Sequence, residues 1–139
     1  MTKLQNTLAG RITVLALFAA SLACGVSAST ANISDAYLAR DPEGTDPTTV
    51  FLPDEPFYLI VELANAPDDT VVKAVWVAVD VDDVDFDTVI DEAELTTSSG
   101  QLTFDLSNDD LWPAGNYKVD VYVNDNVAET VEFSVEEAG

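Results

Sequence analysis

Eight carboxylates fall within fifteen residues in the run Asp80-Val81-Asp82-Asp83-Val84-Asp85-Phe86-Asp87-Thr88-Val89-Ile90-Asp91-Glu92-Ala93-Glu94. Hard cations such as Ca2+ are held by clustered carboxylate oxygens, so this is the one stretch whose side chains suggest ligand chemistry. Counting Asp83 as loop position 1, Asp85, Asp87, Asp91 and Glu94 take positions 3, 5, 9 and 12, with Ile90 at position 8. These acidic positions are the oxygen-ligand positions of an EF-hand loop. Two features depart from that pattern. Position 6 is Thr88 where a sharp turn wants glycine, and the preceding element reads as a strand around Trp76, not a helix. An EF-hand-like loop, a looser Ca2+ site and a solvated acidic connection between strands all stay open, and no other cofactor is implied.

The two tryptophans and the basic residues supply the other candidates. Trp76, among apolar neighbours, is either the core Trp of a sheet or a sugar-stacking platform. Trp112 precedes Pro113 at a turn and either packs the end of the fold or is partly exposed to a partner. If Trp76 and Ala74 point inward, alternation sends Lys73, Val75, Val77 and Val79 outward. A neighbouring strand that turns Tyr117 inward sends Lys118, Asp120 and Tyr122 outward. Lys73, Val75, Val77, Lys118 and Tyr122 are therefore expected on one outer face, an apolar strip with basic residues on a negative surface. Such a face suits an unidentified protein partner.

Catalysis has little to work with. The chain has no histidine and a single cysteine, Cys24, so imidazole dyads and His-ligated zinc are excluded. There is no Gly-x-Ser-x-Gly and no phosphate-cradling glycine loop. Carboxylate pairs for glycoside hydrolysis are numerous, but one small sandwich lacks the deep cleft that raises the pKa of one of them. The expectation is a non-enzyme with no catalytic residue.

The first residues read as an export signal. Lys3 and Arg11 are followed by the apolar run Ile12 to Ala23 and then by small residues. Val26-Ser27-Ala28 offers small residues at −3 and −1, so that 1–28 is a signal peptide. Alternatively Ala20-Ser21-Leu22-Ala23-Cys24 resembles a permissive bacterial lipobox, departing at Ser21 where leucine is preferred. The signal is then 1–23, and Cys24 is lipidated. Beyond the signal stand 26 acidic residues, 17 Asp and 9 Glu, against Arg40, Lys73 and Lys118, a net charge of −23. Charge-driven binding to nucleic acid or an anionic membrane surface is excluded, so membrane association would come only through the lipid anchor. With 47% hydrophobic residues in strand-like runs, the chain is expected to fold despite this charge.

These candidates are carried by strands. Residues 29–32 form a short tether, 33–136 a folded domain and 137–139 a tail. Strands are expected at Ile33–Ala39, briefly at Thr49–Leu52, at Phe57–Leu63, at Val71–Val79, at Gln101–Leu106, from Tyr117 to Val123 and at Val127–Val135. Residues 81–94 remain ambiguous, and Leu95–Gly100 reads as a turn. In Leu111-Trp112-Pro113-Ala114-Gly115-Asn116-Tyr117-Lys118-Val119-Asp120-Val121-Tyr122-Val123, glycine precedes an inward Tyr117 at a strand entrance. That is the requirement of a tyrosine corner, whose hydroxyl returns to the backbone. Asn124-Asp125-Asn126 is a tight hairpin turn.

With about seven short strands, a Trp in the third long strand and a Tyr corner in the sixth, the chain resembles an immunoglobulin-like antiparallel β-sandwich. Trp112 to Tyr122 resembles the W-P-x-G-x-Y-x-V-x-x-Y hairpin of small immunoglobulin-like domains in exported bacterial proteins and lipoproteins. The likeness extends over Phe57–Trp76 and most of 33–136. It departs at the two cysteine positions of antibody-type domains, one of which is Val119, so no disulfide pins the sheets. The resemblance implies an extracytoplasmic module at the cell surface or periplasm and no particular activity. Its expected role is protein contact through the outer face, with Ca2+-dependent adhesion or carbohydrate binding through 80–94 as the alternative and a passive acidic spacer as the third reading.

Overall fold

The computed structural model describes residues 30–137. The expected signal peptide with both its cleavage readings, Cys24 and the last two residues of the expected tail lie outside the described residues. What is described is all strand, turn and bend, with no helix.

Eight strands follow in order: β1 Asn32–Ala39, β2 Val50–Phe51, β3 Phe57–Ala64, β4 Thr70–Val81, β5 Thr88–Thr97, β6 Gly100–Leu106, β7 Gly115–Val123 and β8 Asn126–Val135. They form a three-stranded sheet in the order β1-β3-β6 and a five-stranded sheet in the order β2-β8-β7-β4-β5. All pairings are antiparallel except the two-residue β2, which runs parallel to the end of β8. The brief strand expected at Thr49–Leu52 thus contributes, as β2, to the sheet opposite β1.

Period-two alternation places the core. Phe57, Leu59, Val61 and Leu63 from β3 meet Val72, Ala74, Trp76 and Ala78 from β4, and Tyr117, Val119 and Val121 from β7. Each of these side chains retains at most 5% exposure. Burial of this apolar set is the main favourable contribution to folding, since no cystine is available. Phe57 is the hub, with ring centroids 4.7 Å from Trp112, 4.8 Å from Phe133 and 4.9 Å from Phe51. Such offset and edge contacts contribute beyond their buried area.

Two turns are fixed by residues that tolerate left-handed backbone. The β7–β8 turn has φ of 47° at Asn124 and 70° at Asp125, the double positive φ that suits a two-residue hairpin. The β4–β5 turn has φ of 63° at Asp83 and 55° at Asp87. It is tied by Val84 N–H to the Val81 carbonyl, Asp87 N–H to the Val79 carbonyl and the Thr88 hydroxyl to the Asp85 carbonyl. Asx residues adopt this conformation at lower cost than other non-glycine residues.

The ambiguous acidic stretch is therefore a tight turn over 82–87 followed by a full strand. Leu95 to Thr97, expected in a turn, completes that strand, and only Ser98 and Ser99 separate it from β6. The reason is backbone pairing: β4 offers a long ladder to β5, from Thr70 opposite Thr97 to Ala78 opposite Thr88. Hydrogen bonding along that ladder does not require a buried face on β5.

Candidate functional site

Three rows of side chains cross the outer face of the five-stranded sheet. Paired positions place Val89, Val77, Lys118 and Glu132 in one row, Glu92, Val75, Asp120 and Thr130 in the next, and Glu94, Lys73, Tyr122 and Val127 in the third. The expected partner-face residues Lys73, Val75, Val77, Lys118 and Tyr122 are thus brought together. The Lys73 ammonium lies 4.8 Å from the Tyr122 ring centroid, a cation–π contact. Lys118 Nζ is 3.4 Å from Asp120 Oδ2, and the Thr130 hydroxyl donates to Asp120 Oδ1 at 2.7 Å.

One part of the expectation is corrected. Val75 and Val77 point away from the core but retain only 8% and 5% exposure, so they do not offer an apolar strip. They lie in a central strand, with β5 paired on one side and β7 on the other. The centre of the accessible face is polar, made by Lys73, Lys118, Tyr122 and their carboxylate neighbours, and the exposed apolar residues Val89 and Val127 stand at its margins. Trp76, at 1% exposure, and Trp112, at 7%, are both in the core cluster. Trp112 stacks on Phe57 and donates its backbone N–H to the Pro53 carbonyl at 2.8 Å.

Tyr117 forms the expected corner. Its hydroxyl donates to the Pro113 carbonyl four residues upstream, and burial pushes its pKa up to about 12. Gly115, just before it, has φ of 149°, and a β-carbon there would lie 2.5 Å from the Asp80 carbonyl oxygen. Glycine is required because β7 and β4 approach too closely for any side chain.

The five acidic positions suggested as cation ligands do not converge. Asp83 and Asp87 are the left-handed residues of the β4–β5 turn, so backbone conformation accounts for both. Asp91 pairs with Trp76 and Glu94 with Lys73, which puts these two carboxylates on opposite sides of the sheet. Among the described residues, no group of three or more acidic, histidine or cysteine side chains is arranged to hold a metal ion. The EF-hand spacing is a feature of the sequence that the strand geometry separates in space.

Sequence reasoning missed the edge that this run builds. β5 is the last strand of its sheet, and nearly all its residues are exposed. A register shift interrupts its ladder between Trp76 and Val77, leaving Ile90 as an extra residue. At this end Ala78, Val81, Val84, Ile90, Trp112 and Pro113 line a largely apolar concavity of about 140 Å3. Phe86 at the turn tip is 74% exposed, and Val89 is 52% exposed. The available signal was the apolar residues interleaved in the acidic run: Val84, Phe86, Val89 and Ile90.

No protein-family profile matches the chain, and no curated protein matches it at a significant level. Solved structures do match. An immunoglobulin-like protein from Pseudomonas aeruginosa superposes with a TM-score of 0.54 at 14% identity, covering 78% of this chain and 98% of that one. The alkylpurine DNA glycosylase AlkC of Pseudomonas fluorescens, solved bound to DNA containing an abasic site analogue, matches with a TM-score of 0.52 at 16% identity. There the match covers 78% of this chain and 31% of the glycosylase. β-Glucosidase 3B from Thermotoga neapolitana matches with a TM-score of 0.50 at 17% identity, over 79% of this chain and 16% of that enzyme. In both enzymes the likeness covers a minor part of a longer chain. At these identities the matches establish architecture alone: the chain folds as an all-β, immunoglobulin-like sandwich of eight strands without a disulfide.

Proposed function

We propose that this protein is a non-catalytic immunoglobulin-like interaction module, exported to the bacterial cell surface or periplasm, that meets a protein partner through its five-stranded sheet. The observation that carries this reading is the cluster of Lys73, Lys118 and Tyr122 on the outer face of β4 and β7. On a surface dominated by carboxylates, two of the three basic residues beyond the signal lie there together. The third, Arg40, is engaged elsewhere, with Nε 3.0 Å from Glu55 Oε2 and a hydrogen bond to the Val50 carbonyl. A partner using this face would supply carboxylates to the two lysines and a flat surface to Tyr122. Location rests on the export signal, and attachment on Cys24 becoming the lipidated first residue.

Chemical cross-linking in the native envelope, followed by recovery of the protein, tests the contact. Lys73→Glu with Tyr122→Ser is expected to lose the partner that the native protein recovers, because the lysine and ring contacts are removed without touching the core. Equal recovery by both forms overturns the face. Repeating the recovery in EDTA and in Ca2+ separates the alternative, Ca2+-dependent adhesion or carbohydrate binding through residues 80–94, since only that reading requires the cation. Mass spectrometry of the mature N-terminus decides between a lipidated Cys24 and cleavage after Ala28.

A further inference from the structure

β5 is a ten-residue strand with one side paired to β4 and, among the described residues, no strand on the other. A free edge presents a row of unpaired backbone N–H and C=O groups, a template for another strand. Proteins ordinarily shorten, cover or charge such edges. Here the edge is long and open, and its protection is one-signed: Asp91, Glu92 and Glu94 along the strand, Asp82, Asp83, Asp85 and Asp87 in the turn before it. No basic residue lies on β5 or in that turn.

This arrangement selects its occupant. A second copy of β5 laid alongside would set acidic residues against acidic residues, and like charges directly opposite destabilise a strand pair. The β8 strand of another copy, with Glu129 and Glu132, is no better. A segment with lysine or arginine at alternate positions converts the same repulsion into cross-strand attraction. The concavity at the start of the strand adds a second requirement. At about 140 Å3, with Ile90, Val84 and Trp112 in its wall, it matches the scale of apolar cavities that accept a benzene-sized guest. Strand addition works in this way elsewhere: main-chain hydrogen bonds give affinity, and pockets for side chains give selectivity.

We propose that β5 is a docking edge for an extended polypeptide segment that carries lysine or arginine at alternate positions and one apolar side chain for the concavity beside Ile90. The site adjoins the Lys73–Lys118–Tyr122 face, since Glu94 pairs with Lys73, but it engages the free backbone edge of β5, so either can fail without the other.

The probe is a synthetic peptide of the length of β5 that alternates lysine with valine and ends in leucine. It is compared at physiological salt with the same peptide bearing glutamate for lysine and with a backbone N-methylated form. The lysine peptide is expected to bind saturably and to slow amide hydrogen exchange within 88–97. Replacing lysine by glutamate should weaken binding by at least about tenfold, the scale of like-charge juxtaposition, and N-methylation should abolish it. Glu92→Lys with Glu94→Lys, both at exposed positions, should reverse the preference between the charged peptides. Ile90→Ser, which leaves the charge of the edge unchanged, should weaken the lysine peptide through the concavity alone. The proposal falls if the N-methylated peptide binds as well as its parent. It falls equally if protection appears on β4 and β7 but not on β5, or if the purified protein instead pairs with itself through 88–97.

Discussion

Tyr117 joins three consequences in one side chain. Its ring stacks on Phe133 with centroids 5.4 Å apart, its hydroxyl ties the Pro113 carbonyl, and its desolvation raises its pKa to about 12. Removing the hydroxyl in Tyr117→Phe keeps the ring packing and loses one hydrogen bond, for an expected cost of about 0.5–1.5 kcal/mol in denaturant melts. The same variant carries a pH signature. Unfolded, the phenol releases its proton near its ordinary value of 10.0; folded, it holds the proton to about pH 12. The folded state therefore binds more protons across that window, and the stability from a neutral Tyr117 is lost as pH rises through it. Melts at successive pH values should show this alkaline decline in the native protein and a shallower one in Tyr117→Phe; identical slopes would contradict the assignment. Tyr117 and Trp76 were legible in the sequence because a turn signal and alternation fix which way a residue points. The role of Phe57 as hub of the aromatic cluster was not, since alternation gives direction and leaves open which rings meet across two sheets.

Strands with a buried face announce themselves, and β5 has none. In β3 and β7 apolar residues recur at every second position because one side packs on the opposite sheet. In Thr88–Thr97 nearly every residue is exposed, so no period of two is imposed, and the pairing with β4 alone makes it a strand. The same logic explains Val75 and Val77, whose outward direction was legible but whose burial depends on β4 lying between β7 and β5, which strand order decides. Gly115 shows how closely elements constrain each other. Its β-carbon, if present, would also lie 2.7 Å from the Val81 Cα, in the backbone that lines the concavity beside Ile90. Gly115→Ala must push β7 from β4 and strain a φ of 149°, for an expected loss of about 1–3 kcal/mol. Thermal melting checks the loss. Chemical shifts of Val81 and Asn116 should move with it, and an unchanged melting temperature would show that the two strands can part there without cost.

At the scale of the whole molecule, the 26 carboxylates and three bases of residues 29–139 govern behaviour that no single contact explains. A net charge of this size keeps copies apart and opposes compaction by self-repulsion. Few of the acids are drawn into specific work. Asp41 is one: its carboxylate accepts from the Thr45 backbone N–H and hydroxyl and from the Asp46 N–H, which holds its pKa below the ordinary value. Most others, including those of 82–94, are exposed and interact through solvent. Their repulsion is therefore screened by mobile ions over a Debye length of about 8 Å at physiological ionic strength. Melting temperature should rise as sodium chloride is added from low concentration. A gain of about 1 kcal/mol corresponds to about 4–8 °C for a domain of this size. Because the carboxylates of residues 83–94 lie on a turn and on both sides of a strand, Ca2+ and Mg2+ at equal concentration should raise the melting temperature alike. A dedicated oxygen cage would favour the larger, less rigidly hydrated Ca2+. A rise with Ca2+ well beyond that with Mg2+, lost in Asp83→Ala with Asp85→Ala, would show that the turn rearranges to gather its acids around the ion.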